Sequence, residues 1–312
     1  MRSVEIELKE RLNLHEGDEL IFAETLHEDY AKQRNPVVGK MPEFSESEMY
    51  GYVIVKRQDG KMGIYTHNGE VVVPEDEHKC YPQYWCSYGF YHEAICIEKD
   101  GKIEVRSCDG KKVILPSEFQ EVKLLERFIT TSNDGKTWGA YSYEGKEILP
   151  SVYNRCFSEN VGSDFIIIVI NEQYLFGVYS SRGEVILPCE YKYIHYTECH
   201  DVLFVTKNDE TVSMYSAEGE PFIDCHADRL RWNSSITDSI FANGKFPNDF
   251  ILATRNKVPV GLYRYTGTQI VVDPAKYSKM YLEKEYIICI GKEGVSMDAY
   301  DFNGDKIVEY KP

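Results

Sequence analysis

The sequence predicts an all-β fold of seven tandem β-meander repeats, and three observations support the prediction. A Tyr-x-x-x-Gly pattern recurs along the chain, a short apolar run precedes each copy, and turn residues separate the two. Successive pattern glycines lie 35 to 48 residues apart, a period typical of propellers, solenoids and other repeat arrays. Six copies keep both residues and one has an arginine before its glycine: Tyr65 with Gly69, Arg106 with Gly110, Tyr141 with Gly145, Tyr179 with Gly183, Tyr215 with Gly219, Tyr263 with Gly267 and Tyr300 with Gly304.

Each repeat divides into the same four predicted strands. The first is a continuous apolar run, as at residues 165–170, which is typical of a short strand covered on both faces. A tight turn, often Asp-Gly, leads into the second strand, which carries the pattern tyrosine. The pattern glycine turns the chain into a third strand, and a fourth, more polar strand follows in several copies, as at residues 191–196. Four copies of the third strand end in a proline, which predicts a strand end or a sheet edge: Pro74, Pro116, Pro150 and Pro188.

Two architectures satisfy this pattern. A seven-bladed β-propeller-like ring is expected, because closure removes exposed sheet edges. An open superhelical array of the same meanders is the alternative, since each unit needs only its neighbours to bury both faces.

Residues 1–42 form an acidic N-terminal segment outside the repeat domain of residues 43–312. Apolar residues recur there at near-helical spacing, so residues 19–32 are predicted to form a short amphipathic helix. Its expected role is to cap one end of the array, with docking of a partner as the alternative.

Composition restricts the partners and the setting. The 51 acidic and 35 basic residues leave a net charge of −16, which repels phosphate backbones and anionic lipid. A partner protein, including one with a basic surface, is therefore expected, and nucleic acid and membranes are not. The first ten residues lack the apolar stretch of a secretory signal and the nine cysteines are scattered, so a cytoplasmic location is expected.

One copy of the repeat has a recognisable motif. Residues 138–153 read Trp-Gly-Ala-Tyr-Ser-Tyr-Glu-Gly-Lys-Glu-Ile-Leu-Pro-Ser-Val-Tyr, and residues 176–191 repeat the pattern with Phe176 in the place of the tryptophan. The pattern resembles the bacterial WG-repeat family, in which Trp-Gly is followed by two apolar positions, a polar one, then Gly, an aliphatic pair, Pro and Tyr. The resemblance extends over residues 50–312 and implies an interaction repeat without shared catalytic residues. Five copies depart from it: Met62-Gly63 and Val260-Gly261 keep only the glycine, and Glu104, Ser213 and Asp298 replace it.

The motif also has a structural interpretation. In a strand, Gly139 and Tyr141 share one face, and the glycine leaves room for a neighbouring aromatic ring. The pattern tyrosines are expected to separate neighbouring units, with hydroxyls that reach a polar group or solvent.

Metal and catalytic chemistry have weaker signals. His78, Cys80, Cys86 and His92 lie close in sequence, but the Cys80-x5-Cys86 spacing does not fit zinc, so no metal or other cofactor is expected. The sequence contains no nucleophile elbow, phosphate-binding loop or HExxH motif, so no catalytic residue is predicted.

Two connections break the repeat and are predicted to bind a partner. They are an aromatic-rich loop at residues 75–92, with Tyr84, Trp85 and Tyr88, and the longest interval between repeats, with Arg229, Arg231 and Trp232. Trp, Tyr and Arg dominate interaction hot spots, although here they would also serve to cover the ends of neighbouring blades. The sequence therefore predicts a non-catalytic cytoplasmic scaffold or adaptor for protein–protein interaction. The alternative is a hydrolase or small-ligand binder that uses the axial face of a propeller.

Overall fold

The computed structural model of the protein is almost entirely β-structure. In the part of the chain that it describes, 28 strands form seven four-stranded antiparallel sheets, each made of four strands that are consecutive in sequence. The predicted all-β class and the seven-fold repetition are therefore confirmed. The described residues are 9–23, 52–66, 68–87, 90–107, 109–197, 201–232, 250–272, 274–283, 286–292 and 296–310.

The chain divides into two compact units, Met1–Cys156 and Phe157–Pro312. The first unit contains sheets 1 to 3. Sheet 1 consists of β1 (Glu19–Ala23), β2 (Tyr52–Lys56), β3 (Met62–Thr66) and β4 (Val71–Asp76). Sheet 2 consists of β5 (Lys79–Ser87), β6 (Phe90–Lys99), β7 (Lys102–Ser107) and β8 (Val113–Phe119). Sheet 3 consists of β9 (Glu121–Leu124), β10 (Ile129–Ser132), β11 (Trp138–Tyr141) and β12 (Glu147–Tyr153).

The second unit contains sheets 4 to 7. Sheet 4 consists of β13 (Arg155–Val161), β14 (Asp164–Ile170), β15 (Phe176–Ser180) and β16 (Val185–Tyr191). Sheet 5 consists of β17 (Tyr193–Thr197), β18 (Val202–Thr206), β19 (Val212–Ser216) and β20 (Pro221–Ala227). Sheet 6 consists of β21 (Arg229–Trp232), β22 (Phe250–Arg255), β23 (Val258–Arg264) and β24 (Gln269–Val272). Sheet 7 consists of β25 (Tyr277–Leu282), β26 (Tyr286–Gly291), β27 (Met297–Asp301) and β28 (Lys306–Tyr310).

Helical geometry is rare in the described residues. It is limited there to residues 9–11 and to a single 3₁₀ turn at Pro274–Lys276. No helix in this part of the chain is long and apolar enough to cross a membrane.

The apolar runs form the second strand of each sheet. In β14 every residue from 166 to 169 is buried, because the strand lies inside its sheet and is covered on both faces. The first strand alternates instead in sheets 3 and 5: in β9, Val122 and Leu124 are buried while Glu121 and Lys123 are exposed. This alternating strand is the polar strand that the sequence placed at the end of the preceding repeat.

The last strand of a sheet accommodates proline at a free edge. β12 lies at the edge of sheet 3 and continues past Pro150 to Tyr153, so this proline marks an edge and not the end of the strand. The register shifts between the pairs Trp138↔Tyr153 and Ala140↔Leu149, which places Pro150 in a bulge. Edges and bulges are the positions in a sheet where the missing N–H of proline interrupts no ladder of hydrogen bonds.

The helix predicted for residues 19–32 is wrong where the structure describes it. Glu19–Ala23 is the strand β1, which pairs with β2 from Glu19↔Lys56 to Ala23↔Tyr52; residues 24–32 lie outside the described part. A short apolar segment cannot nucleate a helix cheaply, whereas the free edge of β2 supplies hydrogen-bond partners for alternate residues of an added strand. The acidic N-terminal segment therefore contributes a strand to the first sheet.

Arg57 fastens the N-terminal residues to sheet 1. Its Nη1 donates to Asp18 Oδ2 (2.9 Å), its Nη2 donates to the Leu12 carbonyl (3.2 Å), and its Nε donates to the Glu75 carboxylate (2.9 Å). The hydrogen bonds from Arg57 hold the pKa of Glu75 below its usual value. Leu12 is buried in one cluster with Val53 of β2. Residues 9–18 thus cover sheet 1, the capping role that the sequence assigned to the helix.

Five pattern glycines place their turn against the sheet that precedes it. Gly219 and Gly267 have φ values of +90° and +81°, and a Cβ there would lie 2.8 and 2.9 Å from the carbonyl oxygens of Ile186 and Phe222. Only glycine combines a left-handed backbone with so close an approach. The same contact is closer still at three other turns: Gly110 on Val72, Gly145 on Ile114 and Gly304 on Gln269.

Replacing a pattern glycine should show how much the left-handed backbone and the close approach to the preceding sheet each contribute to stability. Gly145→Ala is expected to lower the free energy of unfolding by about 2–4 kcal/mol, because the left-handed backbone and the contact with the Ile114 carbonyl both oppose a Cβ. Gly60→Ala is the matched control: its φ of +88° equals the +89° of Gly145, but nothing lies within 4 Å of the added atom. Urea unfolding measures both losses. Equal losses would show that the approach to the preceding sheet contributes nothing.

Candidate functional site

The aromatic connection at residues 75–92 is a β-hairpin, so its prediction as a loop is wrong. β5 and β6 pair continuously from Lys79↔Glu98 to Ser87↔Phe90, whereas β7 pairs with β6 only from Ala94 onward. Residues 84–87 and 90–93 therefore form a two-stranded ribbon that extends beyond the four-stranded sheet. A run rich in tyrosine and tryptophan has high β-propensity, and here it is followed at once by a second such run with which it pairs.

Two of the three predicted binding residues of this connection lie in the ribbon. Tyr84 pairs with Glu93 and Trp85 pairs with His92, while Tyr88 lies outside the described residues. The backbone of both residues is thus held on a projecting element that has a free edge on each side.

The second predicted group forms a strand and not an irregular insert. Arg229, Arg231 and Trp232 belong to β21, which pairs with β22 from Arg229↔Thr254 to Trp232↔Ile251. Arg229 is exposed and Leu230 is buried, as in a strand with one covered face. The Arg-Leu-Arg-Trp order is the alternation of a half-buried strand. Residues 233–249 of this interval lie outside the described part.

Three cysteines in the described part of the chain are core side chains, Cys80, Cys96 and Cys289, while Cys156 and Cys189 are half-buried. No group of three or more His, Cys, Asp or Glu residues in that part could hold a metal ion. Cys80 and Cys96 are buried, and burial raises the pKa of each thiol to about 12. Protonated, desolvated thiols of this kind behave as small hydrophobic groups.

The pattern tyrosines separate neighbouring sheets, as predicted. The Tyr141 ring meets Phe119 of sheet 2 edge to face at 5.3 Å between centroids, and its hydroxyl donates to Glu147 Oε2 (2.9 Å). The Tyr65 hydroxyl likewise donates to Glu75 Oε1 (2.6 Å). The room left by the motif glycine holds an aromatic ring in one copy, where Tyr263 lies over Gly261 as predicted, whereas a Cβ on Gly139 would meet the Ser151 hydroxyl. These residues maintain the fold.

Sheet 7 buries a polar cluster where Asp298 replaces the motif glycine. The Tyr277 hydroxyl donates a short hydrogen bond to Asp298 and lies 2.8 Å from the Tyr300 hydroxyl, while Lys306 Nζ lies 3.0 Å from the other carboxylate oxygen. Burial alone would raise the pKa of Asp298, but Tyr277 and Lys306 outweigh it and hold that pKa below its usual value. Burial also raises the pKa of Tyr277, with the carboxylate adding to the effect, so this hydroxyl stays protonated. A buried polar network is stable when its members satisfy one another in this way.

Tyr174 occupies a turn position that sheet 1 fills with glycine. Its φ is +62°, and the residue is 75% exposed. Tyr174 N donates to the Asn171 carbonyl (3.0 Å), as Gly60 N donates to the Arg57 carbonyl (2.9 Å) in the equivalent turn. A residue with a side chain loses about 1–2 kcal/mol in this left-handed conformation. The tyrosine is therefore strained, and its ring gains little burial in return.

Asn171 holds the strained turn in place. Its Oδ1 accepts the N–H groups of Gln173 (3.0 Å) and Leu175 (2.9 Å), and its Nδ2 donates to the Cys189 carbonyl (3.3 Å). Backbone strain persists only where surrounding contacts over-determine the conformation, and it concentrates at functional positions.

An aromatic pair begins two residues after Tyr174. β15 begins at Phe176, two residues after Tyr174, and the Phe176 ring meets the Tyr193 ring edge to face at 5.3 Å. Tyr193 begins β17 of the adjoining sheet and is 51% exposed. These three residues are called the Tyr174 patch. The exposed charged residues next to it in sequence are Glu172 and Lys192, and Lys192 forms an ion pair with Glu210.

Tyr174 and Tyr193 are exposed rings with hydroxyl groups, which is the chemistry of a binding surface, whereas Phe176 packs partly against the core. Sequence reasoning missed the patch because it searched the longest connections, and this turn is among the shortest. A signal was present: residues 171–174 read Asn-Glu-Gln-Tyr where other repeats have Asp-Gly, as at Asp59-Gly60. Glu210 fills the equivalent turn of sheet 5 with a similar left-handed backbone (φ +67°), so it is the exposed ring that sets Tyr174 apart.

These observations define the chain as an all-β repeat protein of seven four-stranded sheets with an exposed aromatic surface. No protein-family model matches the chain, and no curated protein matches it.

Several solved structures resemble the chain at low similarity. The computationally designed Ika8 protein is 10% identical with a TM-score of 0.27, over 86% of this chain and 85% of that one. BamB from Moraxella catarrhalis is 8% identical with a TM-score of 0.27, over 84% and 85%. BBS1N, solved in complex with ARL6DN, is 13% identical with a TM-score of 0.24, over 82% and 88%. BamB and BBS1N are β-propeller proteins, but TM-scores of this size carry no argument about function or sheet arrangement.

The Asp298 cluster predicts a pH-dependent part of the stability. The folded pKa of Asp298 lies below 3.8, so its charged form stabilises the folded protein above that pH, and the stabilisation is lost as the pH falls through the folded pKa. The difference in unfolding free energy between wild type and Asp298→Asn should be constant near neutral pH and shrink below about pH 4. Urea unfolding at stepped pH measures it. A difference that stays constant down to the acid limit would contradict the assignment.

Proposed function

We propose that this protein is a non-catalytic scaffold or adaptor that binds another protein in the cytoplasm. The observation that carries the proposal is Tyr174, which combines a left-handed backbone with a 75% exposed ring. Folding stability by itself favours glycine at this turn, and the ring contributes little to the core. A contact outside the chain accounts for the tyrosine.

The chemistry of the Tyr174 patch suits a protein partner. Tyrosine buries a large area at low entropic cost and keeps a hydroxyl for hydrogen bonding, which makes it common in interaction hot spots. The whole chain carries a net charge of −16. A partner with a basic surface would be attracted over a distance and would bind faster at low salt.

Each unit has a further proposed contact surface. In the first unit it is the projecting ribbon with Tyr84 and Trp85, and in the second it is β21 with Arg229, Arg231 and Trp232. Tyr88 belongs to the first group by its place in the sequence. Several contact surfaces on one chain are what an adaptor requires, and the WG-like motif at residues 138–153 supports the same role.

Tyr174→Gly should separate binding from stability. The variant is expected to raise the free energy of unfolding by about 0.5–1 kcal/mol, because glycine relieves the left-handed strain. It should also weaken binding of the partner about tenfold or more, as loss of a hot-spot tyrosine does. Immobilised protein captures the partner from the source cytosol, and the purified partner is then titrated against each variant.

The matched control is Tyr286→Ala, since Tyr286 is 38% exposed and lies in another sheet of the same unit. It should bind like the wild type. If Tyr174→Gly retained the same proteins with the same affinity, the patch would not be the binding surface. If Tyr174→Gly lost stability, the strain argument would fail.

Trp85→Ala should abolish partner capture while leaving thermal stability nearly unchanged, because the ribbon projects beyond the four-stranded sheet. Differential scanning calorimetry and the same capture assay give the two readouts. A loss of several kcal/mol in stability would identify Trp85 as a core residue instead. Trp232→Ala provides the comparison in the second unit, judged by the same two readouts.

A further inference from the structure

Sheet 1 obtains its first strand in a different way from the other sheets. In sheets 2 to 7, one to four residues join the first strand to the last strand of the preceding sheet, as residue 192 does between β16 and β17. β1 instead follows residues 9–18, which contain no strand, and residues 24–51, 28 residues in all, join it to β2. Residues 9–23 are called the docked segment. Non-covalent contacts hold this segment on sheet 1.

Sheet 1 fixes the receiving side of this contact with its own residues. Arg57 Nε donates to both carboxylate oxygens of Glu75 (2.9 Å each), and Arg57 Nη2 donates to Glu75 Oε1 (2.6 Å). The Tyr65 hydroxyl donates to the same oxygen (2.6 Å). A planar guanidinium held on one side by a carboxylate is oriented before any other acceptor arrives. The Nη1 group of Arg57 is therefore left for an acceptor outside the sheet.

The docked segment shows which polar groups fit this arginine. Arg57 Nη1 donates to Asp18 Oδ2 (2.9 Å) and to the Asn13 carbonyl (3.2 Å), and Nη2 donates to the Leu12 carbonyl (3.2 Å). The Asp18 side chain is 4% exposed. Hydrogen bonds from His15 N and from Arg57 hold the pKa of Asp18 below its usual value, so it is charged at neutral pH. One covered carboxylate is thus the ionic part of the contact.

The apolar part of the contact consists of leucines. Leu12 is buried in a cluster with residues of β2 and β3, and two further leucines of the docked segment pack against that cluster: Leu14 and Leu20. β1 then pairs with β2 along its whole length. Backbone carbonyls and a strand ladder are available in any peptide, so they do not select a sequence. The selective features are the leucines and the one carboxylate.

The docked segment can leave without disturbing the turn that it covers. At five pattern glycines a strand carbonyl lies against the turn, but at Gly69 the nearest atoms belong to the side chains of Arg11 and Leu12. Arg11 is an exposed residue, and its Nη1 donates to the Asn68 carbonyl (2.9 Å). An exposed, flexible side chain of this kind moves away at small cost. The cover on the first repeat is therefore exchangeable.

We propose that the docked segment is a built-in competitor, and that the surface it covers on sheet 1 binds a leucine-rich segment of a partner protein with one carboxylate. The partner's strand pairs with β2 as β1 does, and its carboxylate replaces that of Asp18 on Arg57. Exchange of the segment between two copies is disfavoured, because two chains of net charge −16 repel one another. This binding surface is additional to the Tyr174 patch and opens only when the docked segment is displaced.

A fluorescent synthetic peptide with the sequence of residues 9–23, titrated into the full chain, tests the proposal by fluorescence anisotropy. The wild type should bind it weakly, because its own segment competes at an effective concentration on the order of a millimolar. Asp18→Asn in the chain weakens that competitor and leaves the receiving surface unchanged, so the peptide should bind about tenfold more tightly or better. Leu12→Ala in the chain should act in the same direction. The matched control is Asp59→Asn, which removes an exposed acid that pairs with Lys61, and it should bind like the wild type.

A change in the peptide tests the role of the carboxylate without any risk to the fold. The peptide with Asp18→Asn should bind the Asp18→Asn chain about tenfold more weakly than the unmodified peptide, because Arg57 Nη1 loses its charged acceptor. A chain that carries Arg57→Gln as well should bind the two peptides equally. Circular dichroism melts verify that each chain is folded.

Two results overturn the proposal. One is an equal affinity of the unmodified peptide for the wild type, Asp18→Asn and Leu12→Ala chains, which would show that the docked segment is not a competitor. The other is a wild-type dimer in sedimentation velocity that the peptide dissociates, which would assign the surface to a second copy. None of these variants touches the Tyr174 patch, so failure here leaves the proposed adaptor function intact.

Discussion

The contact between a turn glycine and the preceding sheet is the constraint on which the rest of the structure depends. A sheet of four short strands cannot bury enough apolar surface alone and needs the face of a neighbour. The glycine allows the turn backbone to sit on a strand carbonyl, as Gly267 does on Phe222. Side chains on both sides of the turn then reach across, and Phe222 joins a cluster with Tyr263 and Tyr265. Any Cβ at the contact would move the two sheets apart.

This constraint separates residues that maintain the repeat from residues that are free to differ. Glycines and tyrosines of the pattern belong to the first set, and their constancy reflects packing. Tyr174 and Asp298 belong to the second set, because each replaces a glycine of the repeat. One exposes a ring on a strained turn, while the other buries a satisfied polar network. Of the two, the exposed residue lacks a structural explanation, which is why it carries the functional proposal.

The errors of sequence reasoning have a common physical origin. A segment of only five residues, such as Glu19–Ala23, fits a helical pattern and an alternating pattern equally well. This segment is a strand because it pairs with the free edge of β2. The connections at residues 75–92 and around Arg229 were predicted as irregular because they break the spacing of the repeat. Both contain strands, since backbone hydrogen bonds can form wherever a partner strand lies alongside. The spacing of the repeat gives the length of a connection, but it does not show whether the residues of that connection pair as strands.

The sequence by itself determined the all-β class, the number of repeats and the turns between strands, because these depend on local chemistry: apolar runs, Asp-Gly pairs and glycines with positive φ. Tertiary structure alone decided that the polar strand joins the next repeat's sheet and that residues 9–18 cover the first sheet. It also decided that Tyr174 is exposed at a strained turn. Each of these depends on which residues from elsewhere in the chain lie against a given position, and the order of residues along one repeat does not contain that information.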